Sequence, residues 1–202
     1  LMRSSAASDV YKRQFMNKLI VKKILSTVKT TLIAFLLALF VVTCIIINAV
    51  IPSESMEKTI MTGDRLIGNR LAYGINLQIG DKQICKKMRD PKRFDIIIFR
   101  YPDDESELYI KRVIGLPGET VEIKDGDVYI DGSKKPLDDS FTAEKTEGSF
   151  GPYTVPKDSY FVMGDNRNCS YDSRFWDNTY VRFDEILGKA VFRYYPGFKL
   201  IK

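Results

Sequence analysis

Histidine is absent from all 202 residues. Without an imidazole there can be no Ser-His-Asp triad, no Cys-His nucleophile pair and no histidine-ligated zinc. Any nucleophilic chemistry must find another base, and lysine is the remaining choice. Cysteine is scarce too. Of the three, Cys44 lies in an apolar run, and Cys85 and Cys169 stand far apart with no Cys-x-x-Cys spacing, so they either pair or remain free thiols. Internal repeats are missing, as is any helix-forming pattern of useful length outside the apolar run. The net charge of +5 comes without aromatic residues interleaved among the basic ones and without a nucleic-acid motif. A membrane surface is therefore a better partner than nucleic acid.

What is present begins with a leader unlike the rest of the chain. Residues 1–15 have no apolar period and resemble translated sequencing-adapter read-through, so they are set aside from fold reasoning and Met16 is taken as the start. Residues 16–29 are basic and amphipathic. Residues 30–51 then run for 22 positions without a charge, enough at about 1.5 Å per residue to cross a hydrocarbon core of about 30 Å. A cleaved secretory signal would have a shorter apolar region, of about 7–15 residues, so this reads as a retained anchor. Lys18, Lys22, Lys23 and Lys29 all precede it, which predicts a cytoplasmic N-terminus and an extracytoplasmic domain over 52–202.

That domain reads as all-β. Met61 to Arg70 is a turn leading into a short strand. Residues 81–93 hold six basic and two acidic residues, predicting a solvated loop or, alternatively, a segment drawn to anionic lipid head groups beside the anchor. Short apolar runs at 94–100 and 108–115 predict strands, the second ending in the turn Leu116-Pro117-Gly118. Val121 to Ile130 alternates about Asp125-Gly126, a strong hairpin signal. Further strands are expected at 159–163 and 187–195, with 136–157 a long connection. The whole predicts one all-β domain, a barrel or packed sheets, behind one transmembrane helix.

Three stretches bear on chemistry. Pro52-Ser53-Glu54-Ser55-Met56 follows the anchor directly and reads either as a polar turn or as a nucleophile-bearing segment. Lys111 sits between Leu108-Tyr109-Ile110 and Val113-Ile114. A strand lysine there either points to solvent or is desolvated, and desolvation would lower its pKa enough to make it a base. Gly164 to Arg174 is dense in turn-forming and hydrogen-bonding residues; such a loop either lies on the surface or orients a lysine packed against it.

In that order, Pro52-Ser53-x-Ser55-Met56-x-x-Thr59, Gly63-Asp64-Arg65-Leu66-Ile67, Tyr109 to Gly118 and Gly164-Asp165-Asn166-Arg167 through Ser170-x-Asp172-Ser173-Arg174 resemble the motifs of the bacterial type I signal peptidases. The single anchor is similar to that of Gram-positive members. The resemblance implies a membrane-bound serine endopeptidase of that β fold, needing no cofactor or metal, that cleaves signal-peptide-bearing preproteins after Ala-x-Ala at the outer leaflet of the bilayer. Ser55 would be the nucleophile and Lys111 the general base. Ser53 and the Ser55 N–H would form the oxyanion hole. Ser170 would hydrogen-bond Lys111; Asp172 with Arg174, and Asp165 with Arg112, would support the loop. Ile51, Met56, Ile60 and Ile110 would line small apolar pockets. Glu54 stands where the family often has glycine, and Lys58 where it often has proline. Two other readings remain: a self-cleaving repressor-type Ser-Lys peptidase, against which the anchor argues, and a membrane-anchored β-domain serving only binding or assembly.

Overall fold

The computed structural model describes residues 2–80 and 82–201. The chain divides into two compact units, residues 1–43 and 44–202. In the first, a helix α1 spans Met2–Phe40 and is followed by a wider π-type turn at Val41–Ile45. Within this region Gln14–Ile45 is long and apolar enough to cross a membrane. Helix α1 thus includes residues 2–15 and the basic stretch 16–29, for which the sequence predicted no separate element.

The apolar run does not stay helical to Ile51, as the uniform span 30–51 implied. Ile46–Val50 is a strand, β1, paired antiparallel with β2 (Arg65–Asn69) in register Ile46 to Asn69 and Val50 to Arg65. The reason lies in the residues. Ile46, Ile47 and Val50 are β-branched and suit a pleated surface, and β2 supplies the hydrogen bonds that a longer helix would otherwise make.

The second unit is built on one antiparallel sheet. Its order is β1-β2-β12-β5-β6-β10-β11, where β5 is Ile96–Tyr101, β6 Asp104–Gly115, β10 Ser159–Met163, β11 Val181–Arg182 and β12 Ile186–Tyr195; β13 (Lys199–Leu200) pairs with β12. The inner strands bury both faces. On β10, Tyr160 and Val162 join one core cluster with Ile97, Phe99, Val113 and Trp176, whereas Phe161 and Met163 join another with Ile114, Val121 and Val155. This two-sided burial produces continuous apolar runs in place of alternation. A second sheet, of three strands, has β7 (Thr120–Lys124) between β8 (Asp127–Ile130) and β9 (Phe150–Thr154). The β7–β8 turn is the expected Asp125-Gly126, with φ of 47° and 86°, the left-handed pair that a two-residue hairpin demands.

Two expected connections contain strands. The predicted loop 81–93 includes β4 (Lys82–Lys87), which pairs with β3 (Gly74–Ile79) as a two-stranded ribbon. Interspersed lysines hid its period of two. The predicted connection 136–157 includes β9, whose Gly151 and Pro152 mask a strand that nevertheless pairs with β7 along one edge. Cys85 and Cys169 are both exposed and unlinked.

The two sheets meet closely at Gly115. A Cβ there would lie 2.5 Å from Val121 Cγ2 and 3.0 Å from Phe161 Cβ. Gly115→Ala should therefore destabilise the domain by about 1–3 kcal/mol through overpacking, measured as a lower urea midpoint at unchanged slope. An unaltered midpoint would show that the sheets can part there without cost.

Candidate active site

Ser55 opens a compact loop that β1 and β2 hold at its base. Ile51 N–H donates to Asp64 O at 3.0 Å, and Gly63 N–H to Ile51 O at 2.8 Å. Asp64, buried, accepts the Met61 N–H at 2.9 Å and pairs with Arg193 of β12 at 3.1 Å. Within the loop, Met56 begins a helical turn in which Ile60 N–H donates to Met56 O. Met56 and Ile60 point inward and are almost wholly buried beside Leu66, Ile96 and Ala190. The apolar side of the loop thus anchors it in the core, and the serine side is left at the surface of the sheet.

Lys111 lies in β6 opposite Ile97 of β5. Alternation puts it on the same face as Tyr109 and Val113, and only 4% of it is exposed. Its Nζ donates to Ser55 Oγ at 2.8 Å. Burial pushes the Lys111 amine down to about 8, against the smaller upward pull of Asp172 and Asp165. An ordinary lysine, near 10.4, would be almost entirely charged at neutral pH, whereas this one retains a sizeable neutral fraction. Ser53 Oγ is 3.4 Å from Ser55 Oγ, and among the described residues no acceptor engages the Ser55 N–H. A hydroxyl and an amide N–H are thus both available beside the Ser55 Oγ.

The 164–174 loop grips this arrangement from behind. Asn166 donates through its N–H to Ser55 O at 3.1 Å and through Nδ2 to Glu54 O at 3.2 Å. Gly164 makes the approach possible, since a Cβ there would lie 2.3 Å from Ser55 O. Asp172 is fully buried, accepts the Gly164 N–H at 2.9 Å, and receives both Nε and Nη2 of Arg174, at 2.8 and 2.9 Å. Asp165 likewise receives Nε and Nη2 of Arg112, at 2.8 and 2.6 Å, and Arg112 Nη1 also donates to Phe94 O. Both forked pairs suit the planar guanidinium.

The expected residues fall into groups. Ser55, Lys111 and Ser53 come together, as do the pairs Asp172–Arg174 and Asp165–Arg112. Ser170 departs from expectation: its Oγ is buried without a hydrogen-bond partner, because the Lys111 amine is directed at Ser55 and Ser170 is turned against the face of Gly164. The expected lining of the apolar pockets also needs correction. A cavity of about 530 Å³ at the dyad is walled by Pro52, Ser53, Ser55, Leu108, Tyr109 and Ile110, with Glu107, Cys169 and Tyr171 at its edges. A neighbouring cavity of about 220 Å³ is lined by Ile51 and Ile110 among others. Met56 and Ile60 line neither, being core residues. Tyr109 escaped sequence reasoning, although its ring stacks on Tyr101 at 4.6 Å and packs against Trp176. Its place beside Lys111 on an alternating strand was the available signal.

Comparison with known proteins agrees with this geometry. Residues 24–195 match the family model described as "Signal peptidase, peptidase S26". The probable signal peptidase I-2 of Synechocystis sp. is 38% identical over 173 residues, which cover 83% of this chain and 72% of that protein. The signal peptidase I of Leptolyngbya laminosa is 40% identical over 177 residues, covering 84% and 78% respectively, and that of Bacillus caldolyticus is 37% identical over 161 residues, covering 74% and 79%. By a match across far more than half its length, and by a buried lysine bonded to the motif serine, this chain belongs to the signal peptidase, peptidase S26, family.

Proposed function

We propose that the chain is a membrane-anchored serine endopeptidase that cleaves signal peptides from exported preproteins, with Ser55 as nucleophile and Lys111 as general base. The observation that carries this reading is the 2.8 Å contact between Lys111 Nζ and Ser55 Oγ around an amine that burial keeps partly neutral. The neutral amine takes the Ser55 proton as Oγ attacks the scissile carbonyl. The oxyanion so formed is met by the Ser55 N–H and the Ser53 hydroxyl. The resulting ammonium gives its proton to the leaving amine. Lys111 then activates a water that hydrolyses the acyl-serine ester. Asp172 and Asp165 hold the loop behind the dyad and leave Lys111 basic enough to act. The apolar cavities beside Ile51 and Ile110 suit the small side chains that precede an Ala-x-Ala site, admitting a methyl group and rejecting bulk by clash. Lys18, Lys22, Lys23 and Lys29 ahead of the apolar segment favour a cytoplasmic N-terminus and a catalytic domain on the far side. Enzyme and substrate then meet in one bilayer, which raises their effective concentration.

Ser55→Ala should abolish preprotein cleavage, and Ser53→Ala should lower kcat by about 10²–10³ with KM little changed. Normal turnover in Ser53→Ala would remove that hydroxyl from the oxyanion site.

The Lys111 amine must be neutral to act, so kcat/KM should rise with pH and level off above about 8. Lys111→Arg should be as inactive as Lys111→Ala, because guanidinium does not deprotonate. The same amine costs stability. Its folded pKa is depressed, so the penalty is full below about 8 and disappears as pH approaches 10.5. Lys111→Met should accordingly raise Tm at neutral pH and lose that advantage at alkaline pH. A Lys111→Arg enzyme with near-normal turnover and an unchanged pH profile would move the base elsewhere.

Protease added to intact spheroplasts should digest residues 52–202. Protection of that region would reverse the proposed topology.

A further inference from the structure

The ribbon β3–β4 is built inside out. Its register pairs Asn76 with Cys85, Gln78 with Gln83 and Gly74 with Lys87 on one face, and Leu77 with Ile84 and Ile75 with Lys86 on the other. The first, polar face is the one that docks on the domain. Asn76 Nδ2 donates to Asp184 O at 2.7 Å and to Ile186 O at 2.8 Å. Gln83 Nε2 donates to Asp184 O at 2.7 Å, Gln78 accepts from Arg100, and Lys87 pairs with Asp158. The second face carries Ile75, Leu77 and Ile84, and none of these joins any core cluster of the domain. Ile84 is 51% exposed, and Met88, next in the same alternation, 74%. Lys82 and Lys86 flank them on that face, exposed and, among the described residues, in no ion pair. A soluble ribbon would place its apolar side on the core and its lysines toward water; this one does the opposite with its apolar side.

The ribbon also begins four residues after a contact with the end of the apolar segment. The Arg70 N–H, four residues before β3, donates to the carbonyl of Ile45 at 2.8 Å, and Ile45 is the last residue of the apolar segment. An apolar face rimmed by exposed lysines has the chemistry of a surface that rests in a lipid interface, where each lysine near anionic head groups contributes about 1 kcal/mol.

We propose that the outward face of this ribbon, Ile75, Leu77, Ile84 and Met88 with Lys82 and Lys86, docks on the bilayer surface at anionic lipid. The ribbon thereby gives the domain a second foothold beside its anchor. This rests on the membrane-anchored reading of the chain but not on the identity of the dyad.

The test uses the full chain carrying Ile84→Trp, reconstituted in phosphatidylcholine vesicles with or without about one-third phosphatidylglycerol. Bromine on the acyl chains quenches only on contact, so tethering by the anchor does not mimic docking; Trp176, the one native tryptophan and buried, is subtracted from the parent chain. In anionic vesicles the residue 84 signal should be blue-shifted and quenched by brominated lipid. Lys82→Glu with Lys86→Glu, or removal of the anionic lipid, should lose at least half of that quenching, as should salt raised to about 1 M, where the Debye length falls to about 3 Å. Cleavage of a soluble peptide in detergent should stay within about twofold in every variant, which separates failure of the ribbon from failure of the peptidase assignment. Solvent-like, unquenched emission in both vesicle types would overturn the proposal. So would quenching indifferent to lipid charge and to charge reversal. A blue-shifted signal that brominated lipid does not quench, and that grows with protein density, would overturn it in favour of a second copy covering the face.

Discussion

Lowering the pKa of an amine beside a serine, with two carboxylates behind it, sets electrostatic demands that oppose each other. Burial disfavours the ammonium form, whereas Asp172 and Asp165 favour it. Either carboxylate left unpaired in a dry site would act on Lys111 with little screening. Each is instead met by a forked arginine, Arg174 on Asp172 and Arg112 on Asp165, which spends most of its field locally. Desolvation then dominates at Lys111. The same carboxylates also organise backbone: Asp172 holds the Gly164 N–H, and Arg174 reaches the carbonyl of Arg167 at 2.6 Å. Charges that would raise the Lys111 pKa as free anions become, once paired, the means of shaping the loop that positions Ser55.

The sheet makes this burial possible. Because β5, β10 and the Lys111–Gly115 half of β6 are covered on both faces, a side chain at position 111 enters an environment made by the fold as a whole. Ser55 comes from a loop fastened separately, by Met56 and Ile60 in the core and by Asp64 at its base. The two meet because Asn166 ties the Ser55 carbonyl to the loop that follows β10. Gly164 is required there, since any Cβ would enter the Ser55 carbonyl.

Much of this was legible in the residues. The lack of histidine pointed to lysine, and the apolar setting of Lys111 within β6 distinguished it from the lysines of charged runs. Strands at 159–163 and 187–195, the latter found at Ile186–Tyr195, and the Asp125-Gly126 hairpin followed from local pattern. The failures share a cause, which is that local pattern does not say what a side chain will face. Met56 and Ile60 are apolar residues close to Ser55, and sequence cannot tell a pocket wall from the underside of a loop packed into a core. Ser170 sits in the right motif, yet its hydroxyl direction depends on how Gly164 and Ser55 approach each other in three dimensions. Pro152 hid β9 because the cost of a missing N–H depends on whether that N–H would have faced a neighbouring strand.

Two misreadings, the end of the apolar run and the strand β4 inside the predicted loop, come from segments whose residues suit more than one environment. Sequence patterning assumes that apolar residues are sorted between a protein core and water. A bilayer adds a third environment, and there the sorting rule changes sign. Ile46 to Val50 looked like more anchor because strand and span draw on the same residues; β2, more than a dozen residues further along, decides between them. Residues 81–93 read as a solvated loop or as a segment drawn to anionic head groups; lysines interrupt the apolar positions, so neither reading found the period of two in β4. Polar residues facing the domain are consistent once the domain offers backbone carbonyls, those of Asp184 and Ile186, as their partners. The ribbon's fold is thus set from its polar side, and its apolar residues are left available for the surroundings.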